Sequence, residues 1–127
     1  MRRREPARGR LRVDGREVAD VEVATTNRTK RKGLLGRDGL DGGFVLQPCH
    51  QVHTFRMRFA LDVAHLDRSG RVLAVRHMPP GRMGPLRWRS RSILEAEAGS
   101  FETWGLAEGG TVTWQVREDQ ATHSGSS

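Results

Sequence analysis

Cys49, His53 and Met57 recur at a spacing of four, and a thiolate, an imidazole and a thioether together suit Cu(I) or a blue-copper centre. The spacing argues against that use. On a strand, four residues separate side chains by about 13 Å, whereas the ligands of one metal must each come within ~2.3 Å of it. On a helix only neighbouring pairs meet. Convergence needs a tight bend, and no Gly or Pro between Cys49 and Leu61 signals one. No metal or other cofactor is therefore assigned, and Met57 reads as core filler. The same cysteine supports an enzyme reading, with Cys49 as nucleophile, His50, His53 or His77 as base, and Asp62 or Glu95 as orienter. Nothing in the spacing brings these groups together, and a lone cysteine usually behaves as a small buried hydrophobe. No catalytic residue is assigned.

A polar constellation is more informative. Asp62 sits among apolar neighbours on what reads as a central strand, where a carboxylate needs a partner. Arg37 or Arg58 can supply it, which makes a fold-specifying ion pair the simpler reading. The functional reading is a pocket for a small ligand lined by Arg37, His53, Met57, Asp62 and Glu95. His65 and His77 read as ordinary strand histidines.

From Arg68 to Leu94 there are seven arginines and no acidic residue. Arg76, Arg82, Arg87, Arg89 and Arg91, with Trp88 between two of them, have the composition of an anion-binding surface, and Trp88 is able to stack on a base. No sequence-specific nucleic-acid motif accompanies them. Nonspecific affinity for nucleic acid or another anionic ligand is the partner this loop suggests.

Val52–Asp67 must position most of these groups. Its odd positions, from His53 through Phe55, Met57, Phe59, Leu61 and Val63 to His65, alternate with polar ones, so one face is expected in the core and the other in water. An unbroken strand of that length would span about 50 Å, so it is expected to break near Arg58–Ala60 into strands 52–57 and 61–67. Around it the sequence predicts a hairpin turning at Asp14-Gly15, a short helix from Arg28 to Leu35 stopped by Gly36, a strand at Phe44–Leu46, and a strand from Val72. An exposed loop follows from Met78 to Arg91. Then come a strand from Ile93 with Glu95 and Glu97 on its polar side, a helical turn capped by Ser100, and a last strand from Thr111.

The chain has 127 residues, a formal charge of +7, only two lysines and one cysteine. One core is expected, and a disulfide framework is excluded. The basic segment 1–10 lacks a following apolar stretch and reads as a disordered arm, 11–118 as a single domain, and 119–127 as a disordered tail. No run approaches the ~20 apolar residues of a membrane helix; the default location is cytoplasmic.

Gly33-Leu34-Leu35-Gly36-Arg37, Gly43-Phe44-Val45-Leu46, His53 to Arg58, Leu61-Asp62-Val63, Gly70-Arg71-Val72, Leu94-Glu95 with Gly99, Gly105-Leu106 and Gly109 follow one another in an order that resembles the domain-of-unknown-function family 192. The resemblance runs from about Val21 to Val116. It implies a small α+β domain, mostly β, with a curved barrel-like mixed or antiparallel sheet and one or two short helices. It brings no assigned reaction. The expectation is a noncatalytic binding or accessory module with a polar pocket near His53, Asp62 and Glu95. The alternative is anion or nonspecific nucleic-acid binding through loop 76–91, and the third reading is a Cys49-dependent enzyme or soft-metal binder.

Overall fold

Asp14 and Gly15 form the expected tight turn, with φ of 51° and 83°, the type I′ geometry that suits the twist of two antiparallel strands. The computed structural model describes residues 6–117. In it the turn joins β1 (Ala7–Val13) to β2 (Arg16–Ala24). Strand β1 begins at Ala7, so the arm expected to be disordered over 1–10 is strand from residue 7 onward. Its backbone pairs with β2 on one side and with the last strand on the other, which satisfies groups a free arm would leave to water. Residues 1–5, and the tail expected over 119–127, lie outside the described residues. Leu11 pairs with Ala19 but Arg12 with Glu17, leaving Val18 as a bulge, and this extra residue is why β2 breaks its apolar alternation.

The remaining elements are α1 (Asn27–Lys32), β3 (Gly43–Leu46), β4 (Leu61–Leu66), β5 (Val72–Met78), β6 (Ser92–Glu97), α2 (Ser100–Trp104) and β7 (Val112–Val116). The strands form one sheet in the order β5-β4-β6-β3-β2-β1-β7, antiparallel except for the parallel β2–β3 pair. The α+β, mostly β class is as expected. All seven strands contribute to one apolar cluster, from Leu11 on β1 to Val112 on β7, which requires the sheet to curl around it. Its edge strands meet at one end, where Arg71 bridges Thr111 and the Val112 amide donates to Gly70 at 2.8 Å. The sheet is not closed along its length, so it is curled rather than a barrel. Among the described residues no helix is long and apolar enough to cross a membrane.

A second apolar cluster covers the opposite face of the middle strands and includes Phe44, Leu46, Leu61, Val63 and Ile93, with Leu34, Leu40, Val52 and Met78 laid over them. Strands β3, β4 and β6 are therefore buried on both faces. The expected division of Val52–Asp67 into a dry and a wet face does not hold: Ala64 and Leu66 are as buried as Val63. Only its second half is strand. Residues 52–60 form a loop in which Thr54 is fully buried and Phe55 is 43% exposed, the reverse of the expected pattern. The loop turns at Arg56, whose φ of 65° is unusual for a side-chain-bearing residue.

Helix α1 is shorter than predicted. Thr26 caps it by accepting from the Thr29 amide, and Gly33, at φ 46°, ends it. The shortening places Lys30, Arg31 and Lys32 in the last turn, where the helix dipole favours cations. It buries no side chain; Leu34, just past its end, is the residue that joins the second core. In α2 the cap residue is Gly99 rather than Ser100.

Candidate functional site

Three carboxylates that lie largely out of water are treated in three ways. Glu22 of β2 accepts two bonds from the Arg37 guanidinium, at 2.8 and 2.9 Å, and this hydrogen bonding holds its carboxyl below the usual range against the opposing effect of burial. Arg37 also lies 5.6 Å over the Phe44 ring. Asp62 of β4 accepts from the backbone amides of Gly99 and Phe101 at 2.9 and 3.1 Å, capping α2 from a neighbouring strand, while its other oxygen stands 3.8 Å from His77 Nδ1. Glu95 of β6 is 4% exposed, and among the described residues no hydrogen bond or ion pair reaches its carboxyl. Burial alone pushes its pKa up to about 8, so at neutral pH it is predominantly a neutral acid.

The expected pocket is therefore divided. Asp62 pairs with Ala96, whereas Val63 pairs with Glu95; side chains one residue apart along a strand point to opposite faces. Asp62 and Glu95 lie on opposite sides of the sheet. Neither Arg37 nor Arg58 partners Asp62, since Arg37 holds Glu22 and Arg58 holds Asp38 at 2.9 Å. Two of the five expected pocket residues, Arg37 and Asp62, are scaffold. Replacing Asp62 by alanine is expected to cost about 1–2 kcal/mol through loss of the cap, read as a lower urea midpoint with an unchanged slope.

His53, Met57 and Glu95 do come together. They line a cleft of about 290 Å³ between α1 and the 48–57 loop. Leu34, Leu46, Val52 and Phe55 supply apolar wall, Lys30, Arg31 and Lys32 stand along one side, and Glu95 is reached from within. Lys30 Nζ donates to the Pro48 carbonyl at 3.0 Å, tying the helix across to the loop. A second depression of about 300 Å³ lies near Arg10, Asp20 and Trp104, but there Arg10 already donates to Asp20 at 2.7 Å.

Cys49 lines the same cleft, so Cys49, His53 and Met57 share a wall. A strand would keep the three apart, but residues 52–60 are loop and the chain turns at Arg56. Cys49 Sγ donates to the Gln51 carbonyl at 3.2 Å. Burial pushes its thiol pKa up, the Gln51 bond opposes that rise, and Glu95 adds to it. His53 Nδ1 accepts from the Phe55 amide at 3.3 Å, and the two rings stack with centroids 4.8 Å apart. No histidine hydrogen-bonds to Sγ among the described residues, so the nucleophile-base pairing of the enzyme reading is not assembled. No group of three His, Cys, Asp or Glu side chains suited to a metal ion occurs among them either.

In the arginine loop, Arg76, Arg82, Trp88, Arg89 and Arg91 are exposed and Arg87 is half-buried. Sequence reasoning missed the role of His65, which is 1% exposed. Its Nδ1 and the Arg87 Nε are both buried without a partner among the described residues. Burial, and secondarily the charges of Arg87 and Arg76, lowers the His65 pKa to about 4.

The model of the family described as "Uncharacterized ACR", DUF192, matches residues 9–114. No curated protein matches the chain. Two solved structures share its fold. One, described as a "putative transcription regulator" from Sinorhizobium meliloti 1021, is 19% identical with a TM-score of 0.74, covering 89% of this chain and 98% of its own. The other, a protein of unknown function from Novosphingobium aromaticivorans DSM 12444, is 22% identical with a TM-score of 0.71, covering 83% and 84%. At these identities the likeness speaks for architecture alone.

Proposed function

The chain belongs to the DUF192 family, whose description assigns no reaction, and from the geometry of the cleft we propose that it is a noncatalytic binding module for a small ligand. One observation carries this reading: Glu95 lies buried at the cleft with no internal partner, in a protein that gives Glu22 and Asp62 two hydrogen bonds each. An unpartnered buried carboxyl costs about 1–3 kcal/mol. A ligand head group that hydrogen-bonds to it recovers that cost, and the apolar walls receive the body of the ligand.

The cationic residues Lys30, Arg31 and Lys32 favour an anionic tail at the opening. Catalysis is not part of the reading, because Cys49 is held as a hydrogen-bonded thiol. We place the module in the cytoplasm, since its one thiol is unpaired and suits a reducing compartment.

Two probes test the reading by NMR titration: benzamide, with a neutral head, and benzylammonium, with a charged one. At least one is expected to saturate the wild-type protein and shift the resonances of the 48–57 loop, with affinity at least tenfold weaker in Glu95→Leu. Glu95→Gln is expected to keep any benzamide site and lose any benzylammonium site. Saturation by neither probe, or equal binding to Glu95→Leu, would overturn the assignment.

A further inference from the structure

The 49–57 and 79–91 loops are zipped together by their backbones. The Thr54 amide donates to Arg82, Gly84 to Val52, Arg87 to His50 and Cys49 to Arg91, at 2.7 to 3.0 Å. Gln51 Nε2 adds a bond to the Gly84 carbonyl at 2.8 Å. The result is an anchored two-loop ribbon, not a pair of free loops.

Its exposed side chains are of two kinds. Of the six large apolar residues left exposed among those described, four are on this ribbon: Phe55, Met83, Leu86 and Trp88, the last 76% exposed. Both aromatic rings are set against an imidazole, Phe55 stacked on His53 and Trp88 tilted 6.0 Å from His50. The other kind is cationic. Four arginines outside the ribbon are matched to acids, Arg10 to Glu17 and Asp20, Arg12 to Glu17, Arg37 to Glu22 and Arg58 to Asp38. Among the described residues, no acid pairs with Arg82, Arg89 or Arg91, and neither loop contains an acidic residue.

We propose that this ribbon binds single-stranded nucleic acid, with Trp88 and Phe55 as stacking platforms for bases and Arg82, Arg89 and Arg91 as phosphate contacts. Unpaired cations fit a polyanion. Exposed aromatic rings favour a single strand, because a duplex keeps its base faces stacked away whereas a single strand presents them. His50 and His53 are three residues apart, so the two aromatic pairs are joined by at most ~10 Å of chain, a reach spanned by neighbouring nucleotides. Phe55 also lines the Glu95 cleft, but Trp88, Arg89 and Arg91 do not, so substitutions at those three test this inference apart from the ligand reading.

The test is fluorescence anisotropy of the full chain with a labelled twelve-nucleotide oligothymidine, against a duplex of equal length and against phosphatidylserine vesicles. The single strand is expected to bind at least tenfold more tightly than the duplex. Trp88→Ala should weaken it about tenfold with an unchanged melting temperature. Arg89→Gln combined with Arg91→Gln should lower the slope of log affinity against log salt by about 1.4. Equal affinity for duplex, or affinity unaltered by Trp88→Ala, would place binding on general basic charge and overturn the proposal. So would a blue shift of Trp88 emission on vesicles with no response to the oligonucleotide.

Discussion

Glu95→Gln is expected to stabilise the protein at neutral pH by roughly 3 kcal/mol, or about 10 °C in melting temperature, while removing its charge-pairing capacity. The folded pKa is raised from 4.5 to about 8, so between those values the native state holds a proton that the unfolded chain has released. The stability associated with the neutral acid is complete below pH 4.5 and is lost as pH rises through 8. Glutamine is the uncharged isostere. It keeps the buried polar head but does not acquire a preferred ionised form on unfolding. Wild type and variant should therefore have similar stability near pH 4.5 and diverge steadily above it, a gain in stability bought with a lost function. Urea denaturation at pH 4.5, 7 and 8 measures this directly. A variant no more stable than wild type at pH 8 would mean that Glu95 is solvated or paired, and the argument for an unsatisfied cleft carboxyl would fall with it.

What the sequence shows of this arrangement depends on whether the signal is local. The Asp14-Gly15 turn, the start of the helix expected from Arg28 and the loop after Met78 are local, and they appear where glycine, proline and capping residues place them. The middle of the sheet is not local. Strand β6 reads Ser-Ile-Leu-Glu-Ala-Glu, whose alternation suggests a wet Glu95 only if one face meets water. Burial of both faces depends on Leu34, Val52 and Met78 arriving from elsewhere in the chain. Similarly, the one-residue offset that sends Asp62 and Glu95 to opposite faces is a matter of register, which neither segment specifies alone. The turn at Arg56 carries no glycine or proline; it is held by the buried Thr54, whose hydroxyl donates to Pro79 O at 2.6 Å and accepts from the Arg82 amide at 2.8 Å. The site is thus assembled by long-range contacts around residues whose types, but not whose company, were visible.

Acidification should expose the second large effect, centred on His65. Its pKa is lowered from 6.5 to about 4, so between these values the unfolded chain binds a proton that the native state refuses. The stability linked to the neutral ring is present above pH 6.5 and lost as pH falls through 4, a loss of roughly 3 kcal/mol in all. Between pH 4.5 and 6.5 this slope opposes that of Glu95, so wild-type stability should be nearly level there and fall from pH 6.5 to 8. Below 4.5 Glu22, held low by Arg37, adds to the acid loss. Substitution separates the two contributions. Glu95→Gln should uncover a one-proton rise in stability from pH 4 to 6.5 and a plateau above it. His65→Leu, which also removes the unpartnered Nδ1, should leave only the decline from pH 4.5 to 8. The double variant should be flat across that whole interval. Persistence of the acid slope in the Glu95→Gln, His65→Leu protein would show that another group titrates there and that His65 is not the buried base. Its loss would assign the acid limb to the buried His65 imidazole.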